Sequence, residues 1–466
     1  MGITRKDALR LLGSAGVATA TGLPWQSDSG RPVGVVRRDV CVIGGGAAGT
    51  YAAIRLRDQG QRVAVVEPTG RLGGHTETFH DPVTGATIDI GVIVWHDEPI
   101  VRDYFARFDV PLTPLSLGGG AGSTTHVDFR TGLPVPGDVE TVPAALGSYF
   151  GLLQQYPYLE QGFDLPDPVP AELLIPFGEF VIRHGLQSIV RLTFNFAQGL
   201  GDLLRQPTIY VLKNFGIGVL SNVFAGSFLT TSRHNNSELY ERATTVLGAD
   251  ALLNTRVVAV DRSRSDGVRV RVHGPQGDLI IQADKLLVAF QPLAANFGGF
   301  DLDRAERSLF DQFRPHGYWT GVARVAGLAA DQSVPNTGVA TPYNLPKLPG
   351  LYGLSATGVP GLYNIKYGSD VVGSDSAVRY SIEADIRRLA TAGTFPGLRL
   401  QRLETFKSHA PFELTVSPGA IANGFYRSLY GLQGRNRTFY TGATFHSHDS
   451  TLVWQFTERL LPRLTA

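Results

Sequence analysis

The sequence has few of the features that mark several common protein classes. A single cysteine, Cys41, stands among 466 residues, which excludes an internal disulfide framework and any zinc site built on cysteines. Neither sign of charge is in excess, since 42 Lys and Arg residues face 41 Asp and Glu residues. We therefore expect no nucleic-acid partner and no attraction to an anionic membrane. No run reaches the roughly 18 to 20 apolar residues that a transmembrane helix needs.

Glycine is abundant, and its distribution is uneven. The chain contains 55 Gly, many of them in a few loops, which indicates close backbone approaches rather than disorder. The length is sufficient for two or three domain-sized units with a large core.

Residues 1–34 are expected to be a leader that precedes the folded protein. A basic start is followed by a weakly apolar stretch from Leu9 to Ala20, which is the layout of a secretory signal. The segment TRKDALRLL resembles a twin-arginine export signal, with Arg5 and Lys6 in place of the arginine pair. The alternative is an ordinary amphipathic or flexible tail on a cytoplasmic protein.

A strand, a glycine turn, a helix and a second strand follow in residues 35–67. The spacing predicts a strand over 39–43, a helix over 47–58 and a strand over 62–66 that ends at Glu67. The turn between them has the pattern GxGxxG, which is typical of dinucleotide-binding folds. The residues that this pattern predicts at the cofactor are Gly44, Gly46, Ala47, Ala48 and Gly49.

Each element of this unit has a physical role in holding a dinucleotide. Gly44 permits the tight turn, Gly46 admits the diphosphate to the backbone, and Gly49 lets the helix pack on the strand. The helix N-terminus favours the phosphate charge, and the Glu67 carboxylate can accept hydrogen bonds from a ribose. The unit alone does not distinguish NAD from FAD.

The loop RLGGH at residues 71–75 indicates FAD rather than NAD. A nicotinamide dehydrogenase would normally continue with another helix, whereas here a second glycine loop is followed by a predicted hairpin at 81–85 and a strand over 87–95. Arg71 can neutralise a diphosphate, and Gly73 and Gly74 allow an extended cofactor to pass close to the backbone. The place of His75 in this loop favours cofactor contact over proton transfer.

These residues resemble the flavin-containing amine oxidoreductase superfamily, in which the first βαβ unit is followed by E-x-x-x-R-x-G-G. Glu67, Arg71, Gly73 and Gly74 match that segment. The GGH ending and the segment DPVTG resemble the subgroup of the β-cyclopiazonate oxidocyclases and the flavin-dependent polyunsaturated fatty acid isomerases. The resemblance implies FAD, bound noncovalently or by a single bond, and the absence of a nearby cysteine excludes a cysteinyl linkage.

The same resemblance implies further cofactor contacts. The strand IDIGVIVW matches the family's D-x-G-G segment, with Val92 in place of the second glycine. A later strand is expected beside the adenine, and a closing glycine turn and helix are expected over the flavin. The positions implied are Val92, Ile93, Val257, Gly442, Ala443, Leu452 and Val453.

The fold class implied is α/β, a Rossmann-like FAD-binding domain interleaved with an α+β substrate domain. The FAD-binding domain is expected at 35–110, 226–295 and 406–466, and the substrate domain at 111–225 and 296–405. Helix-like stretches are predicted over 170–184 and 185–204. The substrate-domain segments are rich in aromatic and aliphatic residues, which favours an apolar small-molecule substrate.

The sequence does not identify the catalytic residues, but it offers three candidates, Lys366, His446 and His448. The family's amine oxidases place a lysine on the strand that enters the substrate domain, but the matching stretch 318–324 has none, and Lys366 is the only nearby substitute. His446 and His448 could exchange protons near the flavin. No third ligand stands at a suitable spacing, so we expect no metal site.

The leading hypothesis is an FAD-dependent oxidoreductase that removes hydride from a C–H bond of an apolar small molecule. Oxygen or another acceptor would reoxidise the flavin. One alternative is a double-bond isomerase of a fatty-acid-like substrate with no net oxidation, and another is a flavin-binding protein without turnover.

Overall fold

The computed structural model describes residues 33–115, 122–137 and 142–466, so residues 1–32 of the predicted leader lie outside the described residues. The strands are, in chain order, β1 Gly34–Ile43, β2 Val63–Val66, β3 Thr76–His80, β4 Thr87–Gly91, β5 Leu112–Pro114, β6 Val127–Asp128, β7 Leu133–Pro134, β8 Leu229–Thr231, β9 Ala251–Leu252, β10 Arg256–Asp261, β11 Val268–Gly274, β12 Gly277–Val288, β13 Arg314–Ala326, β14 Val334–Pro335, β15 Gly350–Ala356, β16 Leu362–Ser369, β17 Arg399–Ser408, β18 Phe412–Thr415 and β19 Thr438–Tyr440.

Helices alternate with the early strands and dominate two later segments. They are α1 Ala47–Asp58, α2 Pro99–Ala106, α3 Pro143–Leu153, α4 Phe177–Arg183, α5 Val190–Phe196, α6 Thr208–Asn214, α7 Ile217–Ala225, α8 Ser237–Leu247, α9 Arg304–Phe310, α10 Asp375–Thr391, α11 Pro418–Ala422, α12 Phe425–Tyr430 and α13 Ser450–Thr465.

The first sheet has seven strands in the order β10-β11-β12-β1-β2-β9, with β19 also paired to β12. The central pairs β12–β1, β1–β2 and β2–β9 are parallel, whereas β10, β11 and β12 form an antiparallel meander. The four residues of β2 are all buried, as expected for parallel strands that are covered on both faces. Helices α8 and α13 pack against α1 beside this sheet.

Helix α1 has the bounds that the sequence predicts, 47–58. Its apolar residues are buried against the sheet, and Gly60, with a φ of 83°, turns the chain after the helix ends. The glycine turn before α1 therefore lies at the carboxyl end of β1, where ligands bind in open parallel sheets.

The second sheet has six strands in the order β14-β15-β16-β13-β17, with β18 paired to β13. The pairings are antiparallel. Helix α10 covers it, with Ile382, Ile386 and Leu389 buried in a cluster that also contains Trp319 of β13. Strand β17 crosses the predicted domain boundary at 405/406, and β18 of the predicted FAD-binding segment pairs with this second sheet.

Two sequence expectations about local structure are wrong. The strand expected over 87–95 ends at Gly91, where a φ of 93° turns the backbone. The helices expected over 170–184 and 185–204 are instead short helical pieces: Pro176 precedes α4 within the first stretch, and Gly199 and Gly201, with φ values of 96° and 67°, follow α5 within the second.

Among the described residues, no single helix is both long and apolar enough to cross a membrane. One pair of helices bent by 42°, Thr208–Asn214 with Ile217–Ala225, meets the length and composition requirements together.

Candidate functional site

The two glycine loops of the sequence lie directly against each other. The backbone N–H of Gly73 donates to the carbonyl of Gly45 at 2.8 Å. A Cβ atom at Gly74 would lie 3.0 Å from the Cα atom of Gly46. The second loop therefore packs directly on the first turn.

Two glycines of the first turn are required by close contacts. Gly44 has a φ of 104°, and a Cβ atom there would lie 2.8 Å from the carbonyl oxygen of Ala289. A Cβ atom at Gly49 would lie 1.9 Å from the carbonyl oxygen of Gly44, so the helix can approach the strand only with glycine at this position. Both observations agree with the roles predicted for these residues.

The start of α1 fits a diphosphate. Gly46 is its N-cap, no described side chain caps the helix, and its first turn contains no acidic residue. Gly46 is half-buried, and a Cβ atom there would lie 3.9 Å from the Cα atom of Gly74, an ordinary van der Waals contact. An uncapped helix N-terminus offers N–H donors and positive potential, which suit an anionic group.

Glu67 is buried at the end of β2 and joins the first turn to the second loop. One carboxylate oxygen accepts a hydrogen bond from the Gly45 N–H at 2.8 Å. The other accepts from the Thr69 N–H and from its hydroxyl at 2.9 and 2.7 Å. A carboxylate oxygen has two lone pairs, so the oxygen that accepts from Gly45 can accept one further hydrogen bond, from a ribose. That contact stays a prediction.

Arg71 braces the second loop. Its guanidinium donates to the carbonyls of Gly74 and Thr76 at 2.7 and 2.8 Å and pairs with the Glu77 carboxylate at 2.9 Å. These bonds hold the loop in the shape that places Gly73 and Gly74 over the first turn. Neutralisation of a diphosphate by Arg71 stays a prediction.

His75 lies in a layer of aromatic rings. Its imidazole stacks on that of His409, with centroids 4.1 Å apart and an interplanar angle of 11°. The Phe412 ring lies 5.6 Å from His75 and stacks on Tyr318 at 4.8 Å. Phe412 also lies 4.0 Å from the ring of His448. We call these five residues the ring layer.

The three imidazoles of the ring layer are neutral. Burial, together with the charge of Arg71, lowers the pKa of His75 to about 4. Burial and the neighbouring His75 lower the pKa of His448 to about 3. Burial lowers the pKa of His409 well below the ordinary value. The hydrogen bonds agree for His448, because its Nε2 accepts from the backbone N–H of Glu413 at 3.2 Å and so carries no proton.

Three of the other predicted cofactor residues have their backbone in irregular geometry. The carbonyls of Val92 and Ile93 accept hydrogen bonds from the Asn236 amide at 3.0 and 3.5 Å, just after β4 ends. Val257 pairs with Val272 in the meander, and the register shifts immediately after it. Their contacts with a cofactor stay predictions.

The closing turn and helix have the predicted form. Gly442 has a φ of 114° and Ala443 follows it, before α13 begins at Ser450. The N–H groups of Leu452 and Val453 donate to the side chain and to the carbonyl of Asp449 at 3.1 and 2.9 Å. The helix start that the sequence predicts at the flavin is thus already capped by a carboxylate.

Asp449 also contacts a buried histidine that the sequence analysis missed. Its carboxylate lies 3.1 Å from Nε2 of His96. Burial opposes the charge on His96, but Asp449 outweighs it and raises the pKa of His96 above the ordinary value. The acid's own burial raises the pKa of Asp449, yet His96 and the Leu452 N–H outweigh this and lower it. A contact between a buried histidine and a carboxylate therefore lies at the start of α13.

Both ring nitrogens of His446 have hydrogen-bond partners within the protein. Its Nδ1 lies 2.9 Å from Nζ of Lys213, and its Nε2 lies 3.0 Å from the carbonyl of Glu160. Lys213 is buried on α6 and also donates to the carbonyl of Leu159. Burial lowers the pKa of Lys213 to about 7. Lys213 and the carbonyl of Glu160 therefore occupy the two ring nitrogens of His446. Proton exchange between His446 and a substrate stays a prediction.

Lys366 lies on β16 directly opposite Thr320 of β13 in the sheet register. This is the neighbouring strand to the stretch 318–324, where the family's lysine would be expected. The side chain is partly buried, and burial lowers the pKa of Lys366 to about 8. The structure therefore places Lys366 next to the expected position, and its catalytic role stays a prediction.

The most unusual residue near the ring layer is Glu413, which no sequence motif indicates. It is buried on β18, and its backbone has a φ of 43°, which is rare for a side chain of this size. Burial raises the pKa of its carboxyl to about 8, although a hydrogen bond from Asn214 opposes this. Among the described residues, no group of three His, Cys, Asp or Glu side chains is arranged to hold a metal ion.

The chain matches the family described as flavin-containing amine oxidoreductase over residues 47–331. An FAD-dependent oxidoreductase of Cochliobolus heterostrophus, oblC, is 36% identical over 98% of this chain and 97% of its own. The β-cyclopiazonate dehydrogenase of Aspergillus flavus is 34% identical over 98% of this chain and 100% of its own.

A solved structure shows the same fold. The conjugated-linoleic-acid-producing fatty acid isomerase from P. acnes superposes with a TM-score of 0.73 over 92% of this chain and 99% of its own, at 20% identity. At this identity the similarity concerns the fold alone.

Proposed function

Since this chain belongs to the flavin-containing amine oxidoreductase family, we propose that it is an FAD-dependent dehydrogenase of an apolar small molecule, from which it removes hydride at a C–H bond. The family and the full-length relatives confirm the predicted FAD cofactor and the oxidoreductase class. The α/β fold with a Rossmann-like portion is also confirmed. The substrate class and the electron acceptor are the parts that we propose.

The uncharged ring layer beside the RLGGH loop is the observation that supports an apolar substrate. Phe412 and Tyr318 contribute apolar area, and the three imidazoles are neutral at pH 7. Tyr352 extends the layer at 6.3 Å from Tyr318. The rings themselves offer a charged group no partner of opposite charge, so we expect the part of a substrate that contacts them to be apolar. Aromatic walls with few polar groups instead suit a lipid-like, terpenoid or aromatic molecule.

The residues of this chain hold and orient the reactants. The start of α1, Gly46 and Gly74 would hold the diphosphate, and Glu67 would hold the ribose. When bound, FAD accepts the hydride and passes the electrons to oxygen or to another acceptor. The ring layer excludes water from the reacting bond, which strengthens electrostatic interactions there.

The name of the relative in Aspergillus flavus describes it as a dehydrogenase, and the structural neighbour is an isomerase. We therefore keep a second candidate, a double-bond isomerase that returns the hydride to another carbon of a fatty-acid-like substrate. The same ring layer would hold either substrate.

The test is anaerobic mixing of the holoprotein with linoleic acid, a cyclic terpenoid, a partly reduced aromatic compound and a primary amine. Lasting bleaching of the flavin absorbance by an apolar compound is expected. A new product without lasting bleaching and without consumption of an acceptor would instead support the isomerase.

Bleaching by the amine alone would contradict an apolar substrate. If no compound in the panel reacts, the flavin-binding protein without turnover is favoured. The control is the same panel with a free FAD solution, which reports any direct reaction.

We also propose that residues 1–34 export the folded holoprotein by a twin-arginine-type route. Fusion of these residues to a reporter that folds before export, followed by fractionation, tests this. The control is a fusion that carries Lys6→Gln, which weakens the basic start and should leave the reporter in the cytoplasm. If the reporter with the unchanged residues also stays in the cytoplasm, the proposal is wrong.

A further inference from the structure

A small, partly open chamber lies behind the ring layer, next to the closing turn. Its volume is about 10 Å³, which is about the space that one water molecule requires. The residues that line it are Phe163, Tyr210, Lys213, Asn214, Glu413, Leu414, Ala443, Thr444, His446, Ser447 and His448. Because Ala443 and Thr444 directly follow Gly442, the chamber adjoins the predicted flavin turn.

The chamber is lined by polar groups whose hydrogen-bonding capacity is not fully used by the described residues. The hydroxyl of Ser447 is buried and has no hydrogen-bond partner among the described residues. In its ammonium form Lys213 has three donors. Two of the three positions on its Nζ point to the Leu159 carbonyl and to Nδ1 of His446, and the third is left for the chamber, as an N–H donor in the ammonium or as a lone pair in the neutral amine that prevails above pH 7. A buried water needs two to four such partners, and these groups provide them.

Glu413 is held in an environment that favours its neutral form. Within the described ranges, Nε2 of His448 is the one Lys, Arg or His nitrogen within 4.0 Å of its carboxyl, and that imidazole is itself neutral. The backbone is fixed on both sides, because the Glu413 N–H donates to His448 and its carbonyl lies 2.8 Å from Nδ1 of His316. A positive φ costs free energy that is tolerated mainly where a function requires the position.

We propose that Glu413 is the proton acceptor of the reaction and that it acts through one water bound in the chamber by Lys213 and Ser447. This inference rests on the proposed dehydrogenation. In that step one C–H bond gives its electron pair as hydride to FAD, and the adjacent carbon loses a proton. The electrons of the second C–H bond form the new C=C bond, and the proton passes through the water to the Glu413 carboxylate.

The pH dependence has a definite sign. Because burial raises the pKa of Glu413 to about 8, the carboxyl is protonated at neutral pH and accepts a proton only as the pH rises through that value. Bleaching by a substrate should therefore accelerate with rising pH near 8. The titratable groups that face Glu413 from the surrounding elements are Tyr210 and Lys213 of α6, Tyr426 of α12, His316 of β13, and His446 and His448 of the loop before α13.

The first experiment needs no substrate. The midpoint potential of bound FAD is measured against pH in the wild-type holoprotein, in E413Q and in a control, E458Q, whose side chain is 36% exposed and paired with Arg55. Reduction places negative charge near Glu413, so above pH 8 the wild type should take up an extra proton and its potential should fall more steeply with pH. Only E413Q should lose this extra slope.

An infrared difference spectrum between oxidised and reduced holoprotein provides a second readout. A carbonyl band of a protonated carboxyl should change in the wild type and in E458Q and should be missing in E413Q. If E413Q keeps both the band and the extra slope, the proposal is wrong. Correct folding of E413Q is checked by its flavin absorbance and FAD affinity, which should match those of the wild type.

For any compound that bleaches the wild type, E413Q should react about 10²- to 10⁴-fold more slowly and should lose the acceleration near pH 8, with unchanged affinity for the compound. Reduction of E413Q by dithionite should stay as fast as in the wild type. An unchanged bleaching rate in E413Q would contradict the role of Glu413 while leaving the dehydrogenase intact. If no compound reacts, the proposed function fails and with it the role of Glu413 in the reaction, while the potential and infrared data still show whether Glu413 takes up a proton when the flavin is reduced.

Discussion

At the scale of single residues, Glu67 illustrates how a motif residue can have two tasks. The sequence indicates that its carboxylate contacts a ribose, and the structure shows that both of its oxygens also hold the backbone of the first turn and the Thr69 side chain. The binding site and the loop that forms it therefore depend on the same side chain.

Replacing Glu67 by Ala should weaken FAD binding by about 1 to 3 kcal/mol, which corresponds to a roughly 5- to 150-fold higher Kd. The loss arises from ribose hydrogen bonds and from the unsupported N–H of Gly45. Titration of apoprotein with FAD by flavin fluorescence measures it.

The matched control for Glu67→Ala is Asp266→Ala, which removes an exposed carboxylate paired with Arg264 far from the glycine loops. This control should keep the wild-type Kd, because exposed ion pairs contribute little. An unchanged Kd in Glu67→Ala would refute the assigned role.

At the scale of elements, α13 shows how tertiary structure modifies a helix-dipole argument. The sequence predicts a helix start with free N–H groups near the flavin, and α13 does begin there. However, Asp449 accepts from the Leu452 N–H, and His96 pairs with the same carboxylate. The positive end of the helix is thus partly compensated by an acid that also contacts His96.

Replacing Asp449 by Ala should cost about 1 kcal/mol of unfolding free energy through the lost cap, and it should also shift the absorbance and the potential of bound FAD. The physical reason for the second effect is the changed potential at the start of α13. Denaturant unfolding and spectroelectrochemistry measure the two quantities.

Ser374→Ala is the control, because Ser374 caps α10 on the far sheet by accepting from the Ala377 N–H at 3.3 Å. It should lower stability by a similar amount without changing the flavin. If both variants leave the flavin spectrum and potential unchanged, α13 does not approach the cofactor.

At the scale of the whole molecule, the cofactor site joins segments that are far apart in sequence. The first turn, the second loop and the closing helix come from three regions, and Trp454 of α13 donates to the carbonyl of Ala47 at the start of α1 at 3.1 Å. A ligand held by all three regions binds the folded state only. Folding and FAD binding should therefore be linked.

Added FAD should raise the unfolding free energy of the apoprotein by about 2.7 kcal/mol when its free concentration is 100 times the Kd. Thermal unfolding at several FAD concentrations measures this, and Tm should rise with the logarithm of the concentration. A Tm that does not depend on FAD would contradict the assignment of the site. Adenosine monophosphate at the same concentration is the control ligand and should give a smaller rise.

Local pattern was sufficient to determine the cofactor and much of the fold. GxGxxG, the acid at 67 and the RLGGH loop all lie within residues 44–75, and glycine is required at position 49 because a Cβ atom there would meet the carbonyl oxygen of Gly44. Such contacts leave a signal in the sequence because only one residue type fits. Helix α1 could be bounded for the same reason, since its glycines mark both ends.

Only the tertiary structure determined the ring layer and the chamber. His409, Glu413 and Lys213 lie in segments without a motif, and they meet His75 and His448 only because β18 pairs with β13 and α6 packs behind the closing turn. Their unusual pKa values arise from burial, which no local pattern shows. The identity of the cofactor was therefore determined by short-range backbone geometry, whereas the groups that could exchange protons with a substrate were determined by long-range packing.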